Sequence, residues 1–181
     1  MSSEKTFPIT IASCKRELPI CSINDKIDIA AFIMFGDVEI TEKSAAELLK
    51  KCPEFDILVT AESKGIPLCY EMARQSKKKY IVARKSEKLY MKNPVCIEVK
   101  SITTANMQKL YLAQNELEDI KDKRILIVDD VISTGKSLLA LEEFIKKAHG
   151  KIVAKACVLA EGDASKRDDI VFLNPLPVFE K

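Results

Sequence analysis

The stretch Ile125–Leu138, ILIVDDVISTGKSL, sets an apolar run before two adjacent carboxylates, a short loop of hydroxyls and glycine, and the start of a helical pattern. Such a corner can cradle a sugar phosphate. The first turn of a helix offers unpaired backbone N–H groups and a partial positive charge, which suits a phosphate dianion. Ser133, Thr134 and Ser137 add hydroxyl donors around Gly135, which permits close backbone approach, while Lys136 either adds a charge or points outward. Asp129 and Asp130, just upstream, can accept hydrogen bonds from ribose hydroxyls and orient water on a bound Mg²⁺.

An isolated Asp-Asp pair is more often one helix cap and one solvated charge; the whole string reads otherwise. Gly135-Lys136-Ser137 also looks like the end of a nucleotide-binding P-loop. That motif requires a glycine five positions before Gly135, where Asp130 stands and would repel a triphosphate. The spacing argues against a P-loop kinase or ATPase.

The string resembles the phosphoribosyl pyrophosphate signature of type I phosphoribosyltransferases, two acidic residues followed by a Thr-Gly turn. The resemblance implies that Asp129 and Asp130 hold the ribose 2′ and 3′ hydroxyls, and that Ser133, Thr134, Gly135, Lys136 and Ser137 wrap the 5′-phosphate. Where the family often has a second glycine, this chain has Lys136. Glu62-Ser63-Lys64-Gly65 is similar to the family's pyrophosphate loop, in which a non-proline cis peptide turns N–H groups toward the leaving group; the resemblance puts that bond at Ser63–Lys64. Arg84-Lys85 resembles a pair that contacts pyrophosphate in adenine and xanthine phosphoribosyltransferases. Arginine grips phosphate bidentately and lysine supplies a point charge, so elementary chemistry favours the same role, and Lys88 is a further candidate. Lys77-Lys78-Lys79 reads instead as charge compensating the end of a helix.

These residues need a scaffold that brings them to one edge. From Asp56 onward short apolar runs alternate with helical patterns, the mark of an α/β fold with a central, mostly parallel sheet flanked by helices. Asp56–Thr60, Lys79–Ala83, Ile125–Asp130, Lys151–Leu159 and Ile170–Leu173 read as strands, with Ile125–Asp130 central. Ile66, Cys69, Tyr70 and Ala73 recur at helical spacing with Pro67 in the first turn, as do Leu138, Leu141, Ile145 and Ala148 before a left-handed cap at Gly150. Ligands of such sheets bind beyond the carboxyl ends of the strands, here 61–65, 84–88 and 129–137. The polar segment 86–112, with strands at Val95–Ser101 and Lys109–Leu112, reads as a mobile flap, and residues 1–40 as a small cap on a single domain whose core is 41–181.

Composition closes off other classes. With 47% apolar and 31% charged residues, and 29 basic against 27 acidic groups for a net charge of +2, the chain has no general pull toward nucleic acid or membrane. Its six cysteines form no Cys-x-x-Cys pair and His149 is the single histidine, which disfavours a zinc site. With no signal segment or apolar span, the expectation is a reduced, cytoplasmic setting.

The resemblance implies an Mg²⁺-dependent transfer of the 5-phosphoribosyl group from phosphoribosyl pyrophosphate to a purine, adenine narrowly favoured, by a homodimer. Alternatives are xanthine, guanine, hypoxanthine or a pyrimidine as acceptor, or a regulator that senses phosphoribosyl pyrophosphate without catalysis. Adenine-specific members carry a flap glutamate near a tyrosine-glycine pair; the stretch 101–108 has neither, leaving Glu98 as the candidate proton-handling residue.

Overall fold

The computed structural model describes residues 5–100 and 107–181; 101–106, which carry most of the segment expected to handle the base, lie outside the described residues. A five-stranded sheet forms the centre, in the order β10-β9-β8-β4-β5, with every neighbouring pair parallel. Its strands are β4 Ile57–Ala61, β5 Lys79–Ala83, β8 Arg124–Ile132, β9 Lys151–Glu161 and β10 Ile170–Leu176. Strand β8 is central, as its apolar run predicts, because only a strand covered on both faces can bury so continuous a series. Asp56 stays outside β4: its carboxylate takes Arg124 Nε at 3.1 Å and Nη2 at 2.9 Å.

Alternation along the strands sends side chains to two apolar layers. Ile57, Val59, Ile125 and Ile127 meet Leu117 and Ile120 of α3 (Gln114–Ile120) and Leu141, Phe144 and Ile145 of α4 (Lys136–Lys147). Leu58, Leu126 and Val128 meet Leu68 and Met72 of α2 (Ile66–Ser76) and Ile40 and Leu48 of α1 (Val38–Lys51). Each such side chain, fully buried, contributes about 1.5–3 kcal/mol. Helix α1 escaped the sequence reading, although Asp37, whose carboxylate caps it by accepting the Ile40 N–H at 3.2 Å, and the spacing Ile40, Ala45, Leu48 are ordinary signals.

The end of α4 departs from expectation. His149, not Gly150, has positive φ (57°); Gly150 donates to Ile145 O at 2.9 Å and His149 to Lys146 O at 3.0 Å, a Schellman closure with histidine in the left-handed position. Glycine is needed at 150 for a different reason: an added Cβ would lie 2.7 Å from Ile120 Cγ2.

Residues 1–40 contribute β1 Thr6–Ile11, β2 Cys14–Ser22 and β3 Ile27–Ala30 to an antiparallel sheet, completed by β11 Val178–Glu180 in the order β1-β2-β3-β11. Ile11, Cys14, Leu18 and Ala30 join the same apolar layer as α1 and α2. The flap segment forms an antiparallel hairpin, β6 Val95–Lys100 and β7 Met107–Leu112, whose root is fixed: Leu110 and Leu112 are buried in the α4-side layer, and Tyr111 exchanges two backbone hydrogen bonds with Arg84.

Candidate active site

Pairing of Ala61 with Ala83 and of Val59 with Ile127 brings the carboxyl ends of β4, β5 and β8 to one edge of the sheet. Three loops leave there: Glu62–Gly65, the turn from Arg84, and Ser133–Gly135 ahead of α4. The first lies directly against the end of β8, which leads into the third. Lys64 Nζ lies 3.4 Å from Asp130 Oδ2. A Cβ added to Gly65 would stand 2.5 Å from Thr60 Oγ1 and 2.9 Å from Asp129 Oδ1, so only glycine lets this loop lie over the twin aspartates.

Among the described residues, one carboxylate oxygen of the aspartate pair is buried without a hydrogen bond. Asp130 is buried, and among the described residues no donor completes a hydrogen bond to its Oδ2; the exposed Lys64 ammonium offsets its charge from a distance. A buried carboxylate oxygen without a donor is costly. Asp129 accepts the Asp130 backbone N–H at 2.9 Å on Oδ1. Burial, then the neighbouring Asp130 charge, push its carboxyl up to about 7. Burial likewise raises Glu161 at the end of β9, against the opposing pull of Lys64, and holds the Cys157 thiol, paired with Asp129 across the sheet, up to about 12.

The remaining residues singled out in the sequence lie on the loops that follow β4, β5 and β8, at the start of α4 and on the hairpin. Ser63, Ser133 and Thr134 are exposed at the loop tips, and Gly135 has φ +73° ahead of α4. Of Lys136 and Ser137 only the backbone, the first two residues of α4, is described. Arg84 is held by its backbone to Tyr111, Lys85 is exposed, and Lys88 Nζ donates to Ser86 Oγ at 2.8 Å. Glu98 pairs with Lys109 across the hairpin at 2.6 Å. The non-proline cis bond is Glu62–Ser63, one residue earlier than the motif implied: Glu62 still pairs its N–H with Ala83 O at 2.8 Å, so the chain turns off the strand directly after it.

Sequence reasoning assigned no role to two contributors. Glu62 accepts the Lys85 backbone N–H at 2.9 Å and so ties the first two loops together; its place beside Ser63 was the available signal. Arg167 reaches the third loop, its Nη1 lying 3.2 Å from where a Cβ on Gly135 would be. Nothing local in the sequence announces that contact.

A parallel sheet with helices on both faces and a loop laid over buried carboxylates at its carboxyl edge is the arrangement of an α/β ligand-binding protein. Residues 36–177 match the phosphoribosyl transferase domain family, and the chain belongs to that family. Among its relatives, a hypoxanthine/guanine phosphoribosyltransferase of Methanotorris igneus is 40% identical over 112 residues, 61% of this chain and 57% of that protein. An adenine phosphoribosyltransferase of Petrotoga mobilis is 33% identical over 135 residues, 72% of this chain and 66% of that protein. The chain thus spans somewhat more than half the length of the first of these relatives. The crystal structure of adenine phosphoribosyltransferase from Thermoanaerobacter pseudethanolicus shares the fold, with a TM-score of 0.67 at 17% identity over 94% of this chain and 95% of that one. No helix among the described residues is long and apolar enough to cross a membrane.

Proposed function

We propose that the chain transfers the 5-phosphoribosyl group from phosphoribosyl pyrophosphate to a ring nitrogen of a purine, releasing pyrophosphate and a nucleoside 5′-monophosphate. The observation that carries this reading is the convergence of Lys64 and Gly65 on Asp130 and Asp129, which brings a pyrophosphate loop against a ribose-binding pair. Asp129 and Asp130 hold the 2′ and 3′ hydroxyls, and Ser133, Thr134, Gly135, Lys136 and Ser137 hold the 5′-phosphate. Ser63, Lys64, Gly65, Arg84, Lys85 and Lys88 receive the pyrophosphate. The C1′–O bond breaks with its electron pair leaving on pyrophosphate, and a ring nitrogen of the base attacks the oxocarbenium-like carbon from the opposite face, its N–H proton passing to the released pyrophosphate or to solvent. Fixed charges and positioning lower the barrier.

The donor set suits a hydrated Mg²⁺: two adjacent carboxylates, one with an unpartnered buried oxygen. Among the described residues no group of three or more His, Cys, Asp and Glu side chains is placed to hold a metal ion by itself. Mg²⁺ beside Asp129 and Asp130 would offset charge on the departing pyrophosphate.

The sequence reading favours adenine narrowly as acceptor. Hypoxanthine or guanine is the second reading, favoured by the Methanotorris relative and by a Methanocaldococcus hypoxanthine/guanine phosphoribosyltransferase, 36% identical over 113 residues. We also propose a cytoplasmic homodimer, to be checked by light scattering. Incubation with phosphoribosyl pyrophosphate, Mg²⁺ and each base in turn, followed by measurement of pyrophosphate, separates these readings. Release with a purine is expected, and Asp129→Asn with Asp130→Asn should cut it by about 100-fold or more with the fold intact. No release with any base would favour the non-catalytic sensor; wild-type turnover in the double variant would remove the aspartates from the mechanism.

A further inference from the structure

Arg167 stands outside every motif that pointed to the site, just past the 3₁₀ segment Gly162–Lys166 that follows β9. Its guanidinium is nevertheless directed at the phosphate loop, with Nη1 3.2 Å from the Cβ position of Gly135. The other two nitrogens are already committed: Nε donates to Asp169 Oδ1 at 2.8 Å and Nη2 to Asp169 Oδ2 at 2.7 Å. Nη1 has no hydrogen-bond partner among the described residues.

The fork is held from behind. Asp169 Oδ2 also takes Lys155 Nζ at 2.7 Å, and Lys155, only 13% exposed, pairs with Glu142 of α4 at 2.7 Å. Glu142 is on the helix whose first turn borders the loop, so the chain of ion pairs fixes the arginine relative to the very backbone it approaches. Two cations and two carboxylates balance one another within this chain, and the donor capacity left over is concentrated at Nη1. A guanidinium N–H that remains after a bidentate pair, aimed at a glycine loop, suits a phosphate oxygen well. A side chain at 135 would fill the gap between them.

We propose that Arg167 is a further phosphate-binding residue, donating from Nη1 to the 5′-phosphate of the phosphoribosyl ligand above Gly135, and that Asp169, Lys155 and Glu142 position it. This rests on the reading of Ser133–Ser137 as the phosphate loop.

Calorimetric titration with ribose 5-phosphate, and separately with Mg²⁺-pyrophosphate, tests both layers. The proteins are the wild type, Arg167→Gln, Arg167→Lys, Asp169→Asn and the Asp129→Asn, Asp130→Asn double variant, each checked by thermal melting. Arg167→Gln should weaken ribose 5-phosphate by roughly 10- to 100-fold and leave pyrophosphate affinity unchanged. Arg167→Lys should recover part of the loss, and Asp169→Asn, which frees the fork, should fall between. Wild-type affinity for ribose 5-phosphate in Arg167→Gln, with the double aspartate variant impaired, would overturn the role of Arg167 and leave the site standing. Equal losses for both ligands together with a lowered melting point would also count against it, since the effect would then come from folding. Absence of ribose 5-phosphate binding to the wild type would instead overturn the site itself.

Discussion

Asp129 is the residue whose protonation the site controls. Burial and the Asp130 carboxylate hold it up to about 7, whereas its ordinary value is 3.8, so the empty protein carries a share of protonated Asp129 at neutral pH. A ribose hydroxyl donates best to the ionised carboxylate, so ligand binding should expel that proton. Titration of ribose 5-phosphate near pH 7 in buffers of different ionisation enthalpy should report net proton release, and Asp129→Asn should lose the Asp129 share; equal release by both proteins would refute it. The same shift acts on stability. The raised value favours the folded state below about pH 4 and that advantage disappears as pH climbs through 7, so Asp129→Asn should melt above the wild type at pH 8 and level with it at pH 4. At this scale the sequence is most informative where the proposed chemistry falls in one contiguous string, as in Asp129–Ser137 and Ser63–Gly65. It was silent on Arg167, which is delivered by the path of β9 and the turn after it, and a contact made that way leaves no spacing to read.

Elements were legible wherever one period dominated. The short runs at 79–83 and 125–130 read as strands and the stripes at Ile66–Ala73 and Leu138–Ala148 as helix faces, and each lies in an element of that type. The N-terminal strands were hidden because Pro8 and Pro19 interrupt them and charged residues fill β2. The hairpin shows a subtler gap between pattern and structure. The polar segment 86–112 reads as a mobile flap, yet Leu110 and Leu112 at its end are completely buried. Truncating Leu110 to alanine should therefore cost about 2–5 kcal/mol of global stability in urea unfolding. A cost near zero would show that β7 is not part of the cooperative core.

At the scale of the molecule, the two sheets meet beside the site. Gly162, at the end of β9, lies where an added Cβ would be 3.3 Å from Val178 of β11, so the small sheet adjoins the turn that follows Glu161. Lys181 adds an ion pair to Asp28 at 3.1 Å. Deleting residues 178–181 should lower the melting point by about 2–8 °C, as a loss of 1–2 kcal/mol would. Ribose 5-phosphate affinity should stay close to wild type while base-dependent turnover falls. Loss of both in parallel would assign the small sheet a purely structural part. The pairing of β3 with β11 also has a bearing on biosynthesis. β3 is synthesised before every strand of the five-stranded sheet and β11 after them, so the edge of Ile27–Ala30 that β11 covers keeps its N–H and C=O groups unpaired until Val178 has been made. The interval before Val178 emerges is when this polypeptide is most open to pairing with a neighbour on the same messenger.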